Sequence, residues 1–176
     1  YNGLKIVINK KSMTSEKIKK IKSMIEEENL MDGFGKLTTL EVKDDYLKEL
    51  KEKININSKM KVCLDCGNGV GGVIAPQAFK LLGLEVIELY SEVNGNFPNH
   101  HPDPSNPKNL KDLQKKVLET NSDVGIALDG DGDRVGLIDN KGGIIFPDTY
   151  MMLLAEDLLI KKSKGAIVFD VKCSTN

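Results

Sequence analysis

Three aspartates spaced two apart, Asp129, Asp131 and Asp133, stand in the segment LDGDGDRVG (128–136) with single glycines between them. An apolar run, Val124 to Leu128, leads straight into the first. In extended chain alternate side chains share one side, so the three carboxylates are expected to converge. Crowded carboxylates raise one another's pKa, and a bound cation is the simplest relief. An all-oxygen donor set favours Mg²⁺, Mn²⁺ or Ca²⁺ over Zn²⁺; Mg²⁺ is the expected ion. Three protein ligands leave positions for water or phosphate oxygens, the open coordination used in phosphoryl transfer. Arg134 follows at once, and its planar fork suits a phosphate or a carboxylate.

Other chemistries share parts of this pattern. An EF-hand loop opens D-x-D-x-D-G and closes on Glu, but here the sixth position is Arg134 and the twelfth Asn140, with strands expected on both sides. Phosphatases of the haloacid-dehalogenase type place D-x-D after an apolar strand with the first Asp as nucleophile; that motif usually runs on to Thr or Val where this chain has Asp133. An aspartyl-phosphate phosphatase and a non-catalytic divalent-metal-binding module therefore stand as alternatives.

Weaker signals are read as structural. CGNGVGG (66–72) precedes a helix but lacks the acidic residue of a dinucleotide fingerprint, so a plain strand-to-helix turn is expected rather than an anion site. His100 and His101, side by side in a loop, could meet a metal or phosphate, but adjacent side chains diverge and both rarely reach one ligand, so a structural role is expected. Four of the six prolines, Pro98, Pro102, Pro104 and Pro107, fall in the segment 91–109, which is expected to be a rigid Ω-like loop. Cys63-x-x-Cys66 lies at the end of an apolar strand with no second pair. With three cysteines in all no disulfide framework is expected, and free thiols suit a reducing cytoplasm.

The elements that must hold the carboxylates follow from periodicity. Strands are expected at about 4–8, 60–64, 84–89, 123–128, 135–139, 144–146 and 166–171. Helices are expected at 15–29 (capped by Ser15, with Ile18, Ile21, Met24 and Ile25 on one face), 43–54, 71–82 (burying Ala75, Phe79 and Leu82, ended by Gly83), 109–119 and 148–161. Alternating helices and strands predict an α/β fold, a three-layer α/β/α sandwich. The tight turn at 140–143 and the hairpin after Leu128 make the sheet mixed. The loop-like stretch 31–40 divides an incomplete first unit, 1–40, from a second, 41–176. The formal charge of −1 gives no reason to expect a nucleic-acid partner. No 18-residue apolar window is present, so no membrane span is expected. The chain starts at Tyr1 without Met and stops at Asn176, shortly after an apolar strand; it is expected to be a piece of a longer protein.

LDGDGDRVG, GNFPNHHPDPSNP (95–107), FDVKCS (169–174) and YNGLKIV (1–7) together resemble the α-D-phosphohexomutase family, in particular its bacterial phosphomannomutase/phosphoglucomutase branch. The resemblance implies four domains around a deep cleft, with this chain covering the end of domain 1 and all of domain 2, the phosphoglucomutase-like metal-binding domain. It implies a phosphosugar substrate whose 1- and 6-phosphates interconvert through a phosphoserine and a bisphosphate intermediate. It assigns Mg²⁺ to Asp129, Asp131 and Asp133, places Arg134 in the active site, and makes Lys172 a substrate-contacting lysine and candidate general acid/base. It also implies that the phosphoserine loop, roughly S-H-N-P, lies just before Tyr1, so that this chain alone has no mutase activity.

Overall fold

The computed structural model describes residues 6–161, 165–168 and 173. The chain divides into two compact units, Tyr1–Glu41 and Val42–Asn176.

In the first unit, strands β1 (Val7–Ile8) and β2 (Lys11–Ser12) pair antiparallel. The turn between them has positive φ at both Asn9 and Lys10, the arrangement whose twist matches a two-residue hairpin. Helix α1 runs Ser15–Glu26. Thr14, not Ser15, is its N-cap residue, and no side chain caps it. Its apolar stripe is not buried: Ile18, Met24 and Ile25 are all exposed. Residues 29–42 carry no regular structure.

The second unit opens with α2 (Lys43–Lys53), which turns Leu47 inward. Strand β3 (Lys61–Asp65) is followed by a short 3₁₀ turn (Val70–Val73) and helix α3 (Ala75–Leu81). Pro76 and Ala78 are its buried residues. Ala75, Phe79 and Leu82, the expected inward set, are only half-buried; the 3₁₀ start has a different winding and shifts the helical phase. Gly83, at φ +89, supplies the left-handed residue that ends the helix. Strand β4 (Glu85–Leu89) leads to the long loop 91–106, then helix α4 (Lys111–Thr120) and strand β5 (Val124–Leu128). Strands β6 (Val135–Asp139) and β7 (Ile144–Ile145) and helix α5 (Pro147–Lys161) complete the described elements. Residues 165–168 do not form the expected strand, and 169–172 lie outside the described residues.

The sheet order is β4-β3-β5-β6-β7. β3 runs parallel to both β4 and β5, while β6 and β7 join antiparallel. The crossover through α3 moves to one side of β3 and that through α4 to the other. Right-handed crossovers therefore put the two helices on opposite faces, giving the α/β/α sandwich. On the α4 face, Leu110, Leu113 and Val117 pack on Cys63, Ala127 and Ile138. Gly125 is in register with Cys63 and Ile138. A Cβ there would lie 2.7 Å from a Val117 methyl, so α4 sits this close only because the side chain is missing. The carboxyl ends of β3 and β5 thus lie side by side, the edge where ligands of such sheets bind.

Candidate metal centre

The loop leaving β5 is a closed turn rather than extended chain. The Asp129 N–H donates to the Arg134 carbonyl at 3.3 Å and the Gly132 N–H to the Asp129 carbonyl at 3.1 Å, with Gly132 at φ +74. This corrects the expected mechanism of convergence. The three aspartates meet because the chain curls around them, and one oxygen from each of Asp129, Asp131 and Asp133 lies within 4.8 Å of the others. Asp129 is buried, at 1% exposure, whereas Asp131 and Asp133 face solvent.

Arg134 organises this turn. Its backbone N–H donates to Asp129 Oδ1 at 2.9 Å and its Nε to Asp129 Oδ2 at 2.8 Å. Its Nη1 reaches Asp103 Oδ1 at 3.1 Å, and Asp133 Oδ1 lies 3.7 Å from Nε. Burial opposes charge on Asp129, but the Arg134 N–H and guanidinium outweigh it and hold the carboxyl below the usual range. Each carboxylate oxygen has two lone pairs, so Asp129 can serve Arg134 and still face the cluster. Asp103 is likewise held below the usual carboxylate range, chiefly by the Ser105 hydroxyl at 2.7 Å.

The turn after β3 supports the carboxylate loop from beside it. Val70 N–H donates to the Gly130 carbonyl at 3.0 Å. A Cβ on Gly69 would fall 2.7 Å from that same oxygen, so backbone meets backbone here. Gly69 therefore serves contact between the two turns, Gly67 and Gly72 admit Pro102 and Ser91 of the long loop, and the 3₁₀ segment is too short to hold an anion by its dipole. Asp65, fully buried, closes this turn by accepting from Gly67 N–H at 2.8 Å. Its other oxygen lies 3.0 Å from His100 Nε2. Asn68 ties the turn to the long loop, donating to the Glu92 carbonyl at 2.8 Å and accepting from Asn99 Nδ2 at 2.7 Å. A cavity of about 310 Å³ opens next to Asp133 and Arg134, walled by Ser105, Phe146 and Tyr150.

Of the residues singled out from sequence, the structure gathers Asp129, Asp131, Asp133 and Arg134 at one place. Lys172 lies outside the described residues. Sequence reading missed Asp65 and Asp103. The available signals were a carboxylate at the end of an apolar strand, and a second one inside the proline-rich loop.

Fold and site define a class: an α/β/α domain with an arginine-braced carboxylate cluster at the carboxyl edge of its parallel strands. The description "Phosphoglucomutase/phosphomannomutase, alpha/beta/alpha domain II" matches residues 44–143, more than half of the chain, and the chain belongs to this family of phosphohexomutases. It is 49% identical over 174 residues to the phosphomannomutase/phosphoglucomutase of Pseudomonas aeruginosa, covering 99% of this chain and 38% of that protein. It is 40% identical over 178 residues to the phosphoglucomutase of Neisseria meningitidis, covering 98% of this chain and 38% of that protein. The crystal structure of a phosphoglucomutase/phosphomannomutase family protein from Burkholderia thailandensis superposes with a TM-score of 0.82 at 38% identity, covering 89% of this chain and 34% of that one. The chain thus spans well under half the length of the relatives it matches. Among the described residues no helix is long and apolar enough to cross a membrane.

Proposed function

We propose that this chain is the metal-holding part of an isomerase that interconverts hexose 1-phosphates and 6-phosphates, with mannose or glucose as the sugar. On this reading residues 1–40 end one domain of the parent enzyme and 41–176 form the next. The observation that carries it is the cluster of three carboxylate oxygens within 4.8 Å, braced by Arg134, in a chain of this family. The relatives' names supply the reaction class.

The donor set fits a hard divalent cation. Two oxygens on one ion lie no farther apart than twice the bond length, about 4.2 Å for Mg²⁺ and about 5 Å for Ca²⁺; a cluster within 4.8 Å meets the Ca²⁺ limit as it stands and would draw in slightly around Mg²⁺. Asp129, Asp131 and Asp133 would hold the ion, and bound Mg²⁺ would neutralise charge developing on a transferring phosphoryl group. Arg134 keeps Asp129 ionised and aimed before the ion arrives. Asp131 and Asp133 are exposed, and Asp133 borders the cavity beside Arg134, so the site is open on that side. Lys172 is proposed as the proton donor and acceptor. No Ser-His-Asn-Pro segment occurs within residues 1–176, so the phosphoryl-carrying serine is assigned to another part of the parent and the chain alone is expected not to turn over.

The phosphatase alternative needs one Asp129 oxygen to attack phosphorus, but both accept from Arg134, and those bonds draw charge from either oxygen and lower its nucleophilicity. The test is titration calorimetry with Mg²⁺ on the chain, followed by glucose 1-phosphate with Mg²⁺. Mg²⁺ binding that Asp131→Asn weakens, with no 6-phosphate formed, is expected. Absence of binding at high Mg²⁺ would sink the reading, and trapping of beryllofluoride on Asp129 would favour the phosphatase.

A further inference from the structure

His100 occupies a position that the carboxylate cluster does not explain. Its Nε2 lies 3.0 Å from the buried Asp65 Oδ2, and its Nδ1 lies 3.0 Å from the His101 carbonyl. Both partners are acceptors, so the imidazolium satisfies both and a neutral ring only one. The His101 carbonyl also receives the Asp103 N–H at 2.8 Å. Asp103 then accepts from Arg134 Nη1, and Arg134 Nε from its other side donates to Asp129. Between the ends of this chain of contacts, Pro102 packs against both turns. A Cβ on Gly67 would lie 2.9 Å from Pro102 Cβ, and one on Gly130 3.3 Å from Pro102 Cγ.

We infer that His100 is a positioning residue for the metal centre: it clamps loop 91–106 to the turn after β3, and the clamped loop holds Arg134, and so Asp129, through Asp103. This deepens the proposed function, since the geometry it fixes is that of the carboxylate cluster. It does not touch a metal ligand itself. The groups facing His100 are Asp65 at the end of β3, Tyr90 beyond β4 (ring centroids 5.5 Å apart, edge to face), Asp112 on α4, which accepts from the Tyr90 hydroxyl at 2.9 Å, and neighbouring His101. Two carboxylates and the His101 carbonyl around one ring favour its charged form, and the Asp65 hydrogen bond raises the His100 pKa against the opposing effect of burial.

The clamp is therefore tight when His100 is charged and looser when it is neutral. The test is ¹⁵N NMR of the chain without metal, following the His100 ring and the Arg134 Nε–H from about pH 5 to about pH 9, the range that spans histidine titration. In the wild type the Arg134 signal is expected to move with the His100 midpoint. In His100→Gln, which keeps one donor toward Asp65, it is expected to stay still. In Asp103→Asn the His100 ring still titrates and Arg134 no longer follows, which keeps the test decisive if His100→Gln fails to fold. In a second arm His100→Gln weakens Mn²⁺ binding by about tenfold, the usual effect of losing a group that orients ligands. An Arg134 signal indifferent to His100, or one that still follows it in Asp103→Asn, overturns the inference, as does unchanged Mn²⁺ affinity. If the wild type binds no Mn²⁺, the proposed function fails and the Arg134 arm alone decides the positioning role.

Discussion

Arg134 Nε donates to Asp129 Oδ2 at 2.8 Å while the Arg134 backbone N–H holds Oδ1 at 2.9 Å. One residue thus grips both oxygens of another five positions earlier and closes the turn between them. The grip separates two roles within the triplet. Asp129 is part of the fold, whereas Asp131 and Asp133 stand in solvent and owe their placement to the turn.

Asparagine substitutions should expose that difference. Asp129→Asn takes the charge from the acceptor of Arg134 Nε and leaves the guanidinium to Asp103; it is expected to destabilise the chain by about 2 kcal/mol, as for a lost charged hydrogen bond. Asp131→Asn lightens the charge of a carboxylate cluster, and Asp133→Asn does so while giving up the 3.7 Å ion pair with Arg134, so without metal each should move the melting temperature less than Asp129→Asn does. All three should lose most of the Mg²⁺-induced rise in melting temperature. Calorimetric melting with and without Mg²⁺ separates these outcomes.

Gly69→Ala probes the contact between the two turns. The added methyl meets the Gly130 carbonyl oxygen at 2.7 Å and Gly130 Cα at 2.9 Å, and neither backbone atom can swing away as a side-chain tip would. The expected cost is about 1–3 kcal/mol, typical of overpacking, with weaker metal binding because Gly130 lies between two of the carboxylates. A urea midpoint and Mg²⁺ affinity equal to wild type would contradict this.

The His100–Asp65 pair predicts a direction for stability against pH. The folded-state pKa of His100 lies above its ordinary value of 6.5, with the Asp65 hydrogen bond as the main cause. The protonated ring is then favoured by folding. The pair's contribution is fully present below pH 6.5 and is lost as pH rises through the raised pKa. Urea midpoints measured across this interval should fall for the wild type and fall less for His100→Gln.

The thiols test the structural reading of Cys63-x-x-Cys66. Both are buried and free, and burial pushes each thiol up to about 11. A thiol so shifted is almost entirely protonated at neutral pH and reacts slowly. Cys173 is exposed. A thiol reagent at neutral pH should therefore modify Cys173 first, and reach Cys63 and Cys66 only in denaturant. Rapid native labelling of either buried cysteine would reopen a redox role.

The sequence by itself determined the element order from α2 to α5, the mixed sheet and the closeness of the three carboxylates, but not β2 of the first unit. Apolar runs at strand spacing read β6 to the residue, Val135–Asp139, and three aspartates within five positions cannot lie far apart whatever the loop does. It did not determine how they meet: alternation in extended chain predicted convergence, and a turn closed by Arg134 produces it. Only the tertiary structure paired Asp65 with His100, 35 positions apart, and Asp103 with Arg134, 31 positions apart. Local periodicity carries no information on such pairs. They exist because parallel strands return their carboxyl ends to one edge, and there two buried or crowded carboxylates find the cations that make burial tolerable.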